Sequence, residues 1–303
     1  MYILQKNTKG ANAITFVSGR KQLRLASKFL NSRIMEFKLL DRLATLSHPQ
    51  RMAIFRLLIR RYPDALPVAE ILTVLDLKPS TASVYLSALK SAGLVRQRRL
   101  GTSLLYSANI AASQEIISGL FSDCCGGRGD LCLPTDLSKP ATQPSVLFLC
   151  TGNSARSIMA ETILRDWRGR TFTVASAGTE PRAGVHAMAR DVLLSKGHNI
   201  QNLHSKNITT VLGETTSDFD FVFTVCDNAA NQESGAFHGT PIASHWGIED
   251  PVPAANSLDK ASRDRFENTY EILNKRISRF ATLPFETASR ADLQKSVDDI
   301  ARN

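Results

Sequence analysis

The stretch that decides the fold of the second half of the chain is SVLFLCTGNSARS, residues 145–157. Its first six residues predict a buried strand, and the IMAETILRDW that follows predicts an amphipathic helix. A loop between the end of a strand and the start of a helix points successive backbone N–H groups at one place, which makes an anion cradle. The sequence therefore predicts an oxyanion site in this loop, formed by Thr151, Gly152, Asn153, Ser154, Ala155, Arg156 and Ser157.

The same loop carries a nucleophile, because Cys150 precedes Arg156 by six positions. A guanidinium is a planar, bidentate donor suited to a tetrahedral oxyanion. Its positive field is expected to lower the pKa of the Cys150 thiol and so raise the thiolate fraction. Asn153 is expected to hold the shape of the loop, and the Ser157 hydroxyl to donate to the thiolate. The alternative is a buried structural cysteine.

The remaining sequence of this half alternates strand-like and helical patterns. TFTVASAG and DFDFVFTVC are strand-like, and the second ends at Cys226; GVHAMARDVLLSKG and RDRFENTYEILNKRISRFATL are helical. This order predicts a three-layer α/β domain whose parallel sheet has helices on both faces and a ligand at the carboxyl ends of the strands. Asp250, in HWGIEDP, is a candidate general acid that would protonate the oxygen leaving the tetrahedral centre.

About 145 residues resemble the low-molecular-weight tyrosine phosphatase fold and, within it, the arsenate reductases. The resemblance lies in VLFLCTGNSARS, SAGTEP (176–181), FTVCDNAAN and HWGIEDP. It implies that Cys150 attacks arsenate and that Cys226 then displaces the reduced arsenic and leaves a disulfide. The implied catalytic set is Cys150, Arg156, Cys226 and Asp250. Cys226 as a plain buried cysteine is the alternative.

The resemblance also has a departure, because thioredoxin-linked relatives carry a further cysteine several residues beyond the second. Here CDNAANQESGAFHG has none. We therefore expect no tightly bound cofactor and an external thiol reductant of the glutathione/glutaredoxin or thioredoxin type. Either a small thiol or a glutaredoxin-like partner completes the cycle, or the Cys150–Cys226 disulfide is reduced directly.

Basic charge is concentrated in the first half of the 303-residue chain, whose net charge is +9. Residues 1–34 hold seven basic and no acidic side chains, residues 35–134 twelve and eight, and residues 135–303 eighteen and twenty. The first half suits nucleic acid, and the second half shows no such bias. For residues 1–34, a disordered arm, a transit peptide and a misassigned start all stay open.

The segment after residue 35 predicts a winged helix-turn-helix. Helical patterns run through LSHPQRMAIFRLL, PVAEILTVLDL and STASVYLSALKSAGL, with Ser80 as a candidate N-cap and Gly93 past the last helix. LVRQRRL and SLLYSA, joined around Gly101-Thr102, predict a hairpin wing. The expected DNA contacts are short polar side chains and Tyr85 on the second helix of the pair and arginines on the wing: Ser80, Thr81, Ser83, Tyr85, Arg96, Arg98 and Arg99.

Residues 35 to about 115 resemble the ArsR family of metalloregulatory repressors in LSHPQRMAIFRLL, STASVYLSALKSAGLV and RQRRLGTSLLYS. The resemblance implies a homodimer that binds operator DNA when free of metal and releases it when metal binds. Tyr85 stands where many relatives have His or Arg, so the operator sequence does not follow from the resemblance.

Three of the five cysteines lie within DCCGGRGDLC, residues 123–132. A disulfide framework fits poorly with so few cysteines in a chain of this length. Arsenite-responsive ArsR relatives carry a CC-x6-C triad, which Cys124, Cys125 and Cys132 match, and three soft thiolates suit a thiophilic trivalent ion. A zinc site with a borrowed fourth ligand and an inert cluster remain the alternatives.

The sequence therefore predicts a multidomain protein: a basic extension (1–34), a mainly α winged helix-turn-helix domain (35–132), a proline-containing linker (133–144) and a phosphatase-like α/β domain (145–303). We expect a cytoplasmic, arsenic-responsive repressor fused to an arsenate reductase, with operator DNA, arsenate, arsenite and a redox partner as ligands and no membrane association. Two other functions are open, in which the second half is a protein-tyrosine phosphatase or a non-catalytic sensory module. The joint presence of Cys150, Arg156 and Asp250 argues against the latter.

Overall fold

The computed structural model describes residues 3–6, 12–15, 37–124, 143–214, 219–232, 240–253 and 259–302. These residues belong to two compact units. The first unit falls within Met1–Met52, Ser83–Val95 and Asn109–Leu133, and the second within Ala53–Ala82, Arg96–Ala108 and Pro134–Asn303. The domain boundaries predicted above stay a prediction.

The elements up to residue 124 follow the order expected of a winged helix-turn-helix after a short N-terminal strand pair. The two strands of that pair, β1 and β2, are antiparallel. In chain order the elements are β1 (Ile3–Lys6), β2 (Asn12–Thr15), α1 (37–46), α2 (Pro49–Arg60), β3 (Leu66–Pro67), α3 (Val68–Leu75), α4 (Pro79–Ser91), β4 (Val95–Leu100), β5 (Ser103–Ala108), α5 (Ile110–Gly119) and a π-helical turn (Leu120–Cys124).

The ends of helix α4 correct one detail of the prediction and agree with another. The helix begins at Pro79, so Ser80 lies inside the first turn and is not the N-cap. Proline is favoured at a first helical position, because its missing N–H has no intrahelical partner there. At the other end Gly93 takes a φ of +72°, and the Leu94 amide donates to Leu89 O at 2.9 Å, as in a glycine-terminated helix.

The predicted wing is a pair of adjacent strands, β4 and β5, in a three-stranded sheet of order β3-β5-β4. Gly101 sits at its tip with a φ of +59°, a backbone region that glycine enters without steric cost.

Within the described residues, four strands form the sheet of the phosphatase-like half, in the order β7-β6-β8-β9 and parallel throughout. Helices intervene between them, as parallel strands require. The elements are β6 (Ser145–Cys150), α6 (Arg156–Arg165), β7 (Thr173–Gly178), α7 (Ala187–Ser195), α8 (Ile208–Glu214), β8 (Phe221–Thr224), α9 (Asp227–Asn231), β9 (Ile242–His245), α10 (Lys260–Ala281) and α11 (Arg290–Ala301).

Both faces of the sheet are covered, and strand β6 shows how. Val146 and Phe148 point into a large core with α6, α7, α10 and α11, whereas Leu147 and Leu149 point into a smaller core beside α8. Side chains alternate along a strand, so a strand covered on both faces needs a continuous apolar run. Helix α6 is likewise buried at every position from Ser157 to Leu164, so the prediction of an amphipathic helix there was wrong.

Among the described elements of this half, four were not predicted, namely α8, α9, β9 and α11. Among the described residues, no helix combines the length and apolar character needed to cross a bilayer.

Candidate active site and DNA-contact residues

Cys150 is the last residue of β6, and its thiol is buried at the base of the loop that follows. Its Sγ lies 2.9 Å from Ser157 Oγ and accepts from the Asn153 amide at 3.1 Å. The strand therefore delivers the sulfur to the start of helix α6, where the N-terminal partial charge favours an anion. This is the position that the sequence predicted for a nucleophile.

The cradle loop keeps its shape because Asn153 ties it to three neighbouring segments. Asn153 is fully buried and has a φ of +41°, in the left-handed region that asparagine tolerates better than most residues. Its side-chain amide donates to Ser157 Oγ at 2.9 Å and Ser176 Oγ at 2.8 Å, and its Oδ1 accepts from the Lys206 amide at 2.6 Å. These contacts agree with the loop-holding role predicted for Asn153.

A second loop, which follows β7, binds the outer side of the cradle. Four of its amides donate at 2.8–3.2 Å to carbonyl oxygens of Cys150, Thr151, Gly152 and Ser154; the donors are Thr179, Glu180, Arg182 and His186. In a planar trans peptide the N–H points away from the carbonyl. Because the cradle carbonyls point to this outer loop, amides of the cradle point to the opposite side, where an anion can bind.

Gly178 lies where this second loop passes closest to the cradle. A Cβ at this position would lie 2.5 Å from Thr151 O and 3.0 Å from Asn153 N. The close approach of two backbones is therefore possible only with glycine.

Arg156 and Asp250 meet across the site although 94 positions separate them. The guanidinium donates to Asp250 Oδ2 at 2.8 Å and to Ile248 O at 3.0 Å. The Asp250 carboxylate is half exposed to solvent. The sequence predicted both residues here, but not the ion pair between them.

Cys226 is buried two residues beyond the end of β8 and precedes helix α9. The strand ends at Thr224, so the prediction that it runs to Cys226 was too long by two residues. The Cys226 Sγ lies 3.4 Å from Thr151 Oγ1, which places the second thiol beside the cradle. Cys150 and Cys226 are both free thiols.

The four predicted catalytic residues line one cavity of about 650 Å³, together with most of the cradle. Residues that the sequence did not single out also line it, among them Glu180 and Arg182. Arg182 packs its side chain over Gly152. The only sequence signal for it is its position, one residue after the SAGTEP motif.

Burial raises the pKa of the Cys150 thiol, opposite to the lowering that the sequence predicted. Removing the sulfur from water disfavours the thiolate more than the local hydrogen bonds favour it. The Ser157 hydrogen bonds and the Asn153 amide act in the lowering direction, and the neighbouring Cys226 acts in the raising direction. The Arg156 guanidinium donates to Asp250 Oδ2 and Ile248 O.

Asp64, Asp227 and His245 each place one oxygen or nitrogen atom within 4.8 Å of the others. His245 Nε2 lies 3.1 Å from Asp227 Oδ1, and this hydrogen bond is the first cause of a lowered pKa of the Asp227 carboxyl. The Arg61 guanidinium, 3.0 Å from Asp227 Oδ2, supplies a positive charge to the same group. The Asp227 carboxylate therefore already has a positively charged partner, the Arg61 guanidinium, without a metal ion.

The predicted DNA-contact residues lie on α4 and β4. Ser80 and Ser83 are exposed, and the wing arginines Arg96, Arg98 and Arg99 are exposed on β4. Thr81 is partly buried. Tyr85 is partly buried as well, because its ring packs on His48 with centroids 4.8 Å apart. Val84, 66% exposed between Ser83 and Tyr85, was not predicted.

Of the three cysteines proposed to bind arsenite, the structure describes Cys124. It is exposed at the end of the π-helical turn that continues α5. Cys125 and Cys132 lie outside the described residues, so the triad stays a prediction.

Two family models match the chain. The model described as low molecular weight phosphotyrosine protein phosphatase matches residues 145–297, about half of the chain, and a helix-turn-helix domain model matches residues 46–98. The chain thus joins a helix-turn-helix to a phosphatase-like domain.

Arsenate reductases and a transcriptional regulator are similar to parts of the chain. An arsenate reductase of Halalkalibacterium halodurans is 34% identical over 136 residues, which cover 45% of this chain and 94% of the relative. An arsenate reductase of Bacillus subtilis is 30% identical over 142 residues, which again cover 45% of this chain and 94% of the relative.

A solved structure, that of an ArsR-like transcriptional regulator from Rhodococcus sp. RHA1, is 22% identical to this chain. The similarity covers 32% of this chain and 88% of the regulator, with a TM-score of 0.27.

Proposed function

Since the chain belongs to the low molecular weight phosphotyrosine protein phosphatase family, we propose that its second half is a thiol-dependent arsenate reductase and its first half an arsenic-responsive repressor. The observation that carries the enzymatic part is the pair of buried thiols, Cys150 and Cys226, at one cavity. Hydrolysis of a phosphate ester needs one nucleophile, whereas reduction of arsenate needs two electrons and hence two thiols.

In the proposed reaction, arsenate binds in the cradle of residues 151–157 and Arg156 turns its charge to the oxyanion. The Cys150 thiolate attacks arsenic, Asp250 protonates the departing oxygen, and that oxygen leaves as water. The Cys226 thiolate then attacks Cys150 Sγ. The S–S bond forms as the S–As bond breaks, and the electron pair stays on arsenic. Arsenic is thereby reduced from the pentavalent to the trivalent state, and the two thiols are oxidised to a disulfide.

A reductant must then return the disulfide to two thiols. CDNAANQESGAFHG supplies no third cysteine, so the electrons come from outside this motif. We propose direct reduction of the Cys150–Cys226 disulfide by a small thiol, a glutaredoxin-like protein or a thioredoxin-type protein. Purified protein supplied with each reductant in turn, with arsenate in excess, identifies the one that supports steady turnover.

The decisive experiment compares Cys150→Ser, Cys226→Ser and a control variant, Cys124→Ser, in two assays. We expect Cys150→Ser to lose both arsenate reduction and hydrolysis of p-nitrophenyl phosphate. Cys226→Ser should lose arsenate reduction and keep the hydrolysis, and Cys124→Ser should keep both. Normal arsenate reduction by Cys226→Ser would remove the role proposed for that thiol, and rapid turnover of phosphotyrosine peptides would favour the phosphatase.

For the first half we propose that Ser80, Thr81, Ser83 and Tyr85 contact operator DNA from α4 and that Arg96, Arg98 and Arg99 contact the phosphate backbone from the wing. Homodimer formation is supported by exposed apolar side chains on α1 and α5, which a second copy would cover. They are Phe37 at 70% exposure, Leu40 at 55% and Ile117 at 61%. Sedimentation of Phe37→Ser/Leu40→Ser tests the dimer, which should become a monomer.

The proposed effector site is the triad Cys124, Cys125 and Cys132, with arsenite as its ligand. Exposure of Cys124 on the turn after α5 supports access of a small ion. Binding of arsenite should weaken the affinity for a DNA fragment selected by the wild-type protein. A variant with all three cysteines changed to serine should bind this DNA in the presence and absence of arsenite and should still reduce arsenate. An unchanged arsenite response in that variant would exclude the triad.

A further inference from the structure

Helix α9, which directly follows Cys226, contacts two consecutive arginines: Arg60, the last residue of α2, and Arg61, which follows it. All of these residues belong to the second compact unit. Arg60 donates from Nε to Ala230 O at 3.1 Å and from Nη2 to Asn231 O at 3.2 Å. Two carbonyls at the C-terminal end of α9 thus receive a charged donor, which the helix dipole favours.

Arg61 contacts both ends of the same helix. Its Nη2 lies 3.0 Å from Asp227 Oδ2, at the first residue of α9, and its Nη1 donates to Asn231 Oδ1 at 3.0 Å. The Arg61 side chain is almost fully buried, and Glu70 of α3 pairs with its Nη1 at 2.5 Å. A buried guanidinium that bridges two carboxylates has few other arrangements, so its position is well defined.

Helix α9 has only five residues. A helix of this length is not stable by itself, so its position depends on contacts with neighbouring segments. The Arg60 and Arg61 contacts are therefore part of what determines where Cys226, its N-cap residue, is held.

Formation of a Cys150–Cys226 disulfide requires the two sulfurs to approach to about 2.05 Å, and both are free thiols here. Cys150 is held by Ser157 and Asn153 in the buried cradle. We therefore expect the displacement to fall mainly on Cys226 and on the short helix that it precedes. Moving α9 alters its contacts with Arg60 and Arg61.

We propose that Arg60 and Arg61 are positioning residues that stabilise the reduced position of Cys226, so that disulfide formation and the contacts of α2 with α9 oppose each other. The inference rests on the proposed function for the role of Cys226. Coupling of this kind is reciprocal. If the arginine contacts stabilise the reduced state by a given free energy, oxidation weakens those contacts by the same free energy. Helix α2 lies within the helix-turn-helix match, so oxidation of the enzyme would alter the contacts of a helix in that match.

The test is a redox titration of the full-length protein in buffers of reduced and oxidised dithiothreitol, with the Cys150–Cys226 disulfide quantified by alkylation and mass spectrometry. Arg61→Ala should raise the equilibrium constant for disulfide formation about tenfold, which moves the midpoint about 30 mV more negative. Arg61→Lys, which retains a positive charge, should have a midpoint between those of Arg61→Ala and wild type. Arg56→Ala, an exposed arginine on the same helix, is the matched control and should leave the midpoint unchanged.

Hydrolysis of p-nitrophenyl phosphate, which needs Cys150 but no second thiol, reports whether the cradle of each variant is folded. A purely structural role for Arg61 would lower the melting temperature of Arg61→Ala and leave its midpoint equal to that of wild type. An equal midpoint in a folded, hydrolytically active Arg61→Ala protein overturns the proposal.

Hydrogen exchange supplies the reciprocal measurement. Peptides covering residues 53–62 should exchange faster in the oxidised wild-type protein than in the reduced one, and this difference should be smaller in Arg61→Ala. Equal exchange in the two redox states overturns the coupling. A disulfide that forms in the dithiothreitol titration but never with arsenate would instead contradict the proposed reductase function, and the titration would still decide the role of Arg61.

Discussion

Replacement of Asn153 separates the two physical roles of this residue in the cradle, which are hydrogen bonding and a left-handed backbone. Asn153→Gly removes three side-chain hydrogen bonds, to Ser157, Ser176 and the Lys206 amide, but keeps the φ of +41° accessible. At about 1 kcal/mol per hydrogen bond, the free energy of unfolding should fall by about 3 kcal/mol. Asn153→Ala loses the same bonds and also strains the backbone, which adds about 1 kcal/mol.

Urea denaturation measures both variants, because the two tryptophans of the chain, Trp167 and Trp246, lie in the phosphatase-like half. Trp246 is fully buried against Phe223, so its fluorescence reports the packing of that sheet. Equal unfolding free energies for the alanine and glycine variants would refute the argument from backbone strain. A loss below about 1 kcal/mol in both would refute the additive value given to the hydrogen bonds.

Three further predictions concern the same cavity. Ser157→Ala removes a hydrogen bond that lowers the pKa of Cys150, so that pKa should rise. The ascending limb of kcat/KM for arsenate, plotted against pH, should therefore move to higher pH. A lower plateau with an unmoved limb would contradict this. Gly178→Ala places a methyl group against Thr151 O and should destabilise the protein by about 1–3 kcal/mol in the same urea assay, whereas Gly184→Ala, whose Cβ meets no atom within 4 Å, should not. Asp250→Asn should slow p-nitrophenyl phosphate hydrolysis roughly 100- to 10,000-fold at its optimum pH, and a smaller change would assign proton transfer to another group.

The cradle could be predicted from the sequence because its chemistry is local. A continuous apolar run, a glycine and asparagine in the loop, and an arginine six positions after a cysteine all lie within residues 145–157. The contacts that fix it are not local: Ser176 and Lys206 reach Asn153 from 23 and 53 positions away. The direction of the Cys150 pKa shift was wrong for the same reason, because the burial that raises this pKa depends on the whole fold.

The missed elements had weaker signals. Strand β9 has four residues, Ile242–His245, and two of its buried side chains are the polar Ser244 and His245, so no apolar alternation marks it. Helix α11 did have a local signal, since the Ser289 hydroxyl accepts from the Asp292 amide as an N-cap and Leu293 and Val297 recur at helical spacing. The contact of Arg61 with Asp227 had no sequence signal, because the two residues are far apart in the chain and lie in segments that match different family models.

One cradle can serve two reactions, and the difference between them lies outside it. Phosphate and arsenate are tetrahedral oxyanions of the same charge type, so the proposed cradle amides and Arg156 suit either one. In the proposed mechanism, Cys150 and Asp250 likewise serve attack and proton transfer in both reactions. Only the step after the covalent adduct differs, because the reductase needs a second sulfur that reaches the first, whereas the phosphatase needs water. Cys226 is buried beside Thr151, so the structure supplies that sulfur and holds it away from solvent. The contacts that determine the position of helix α9 should therefore affect arsenate reduction while leaving ester hydrolysis unchanged.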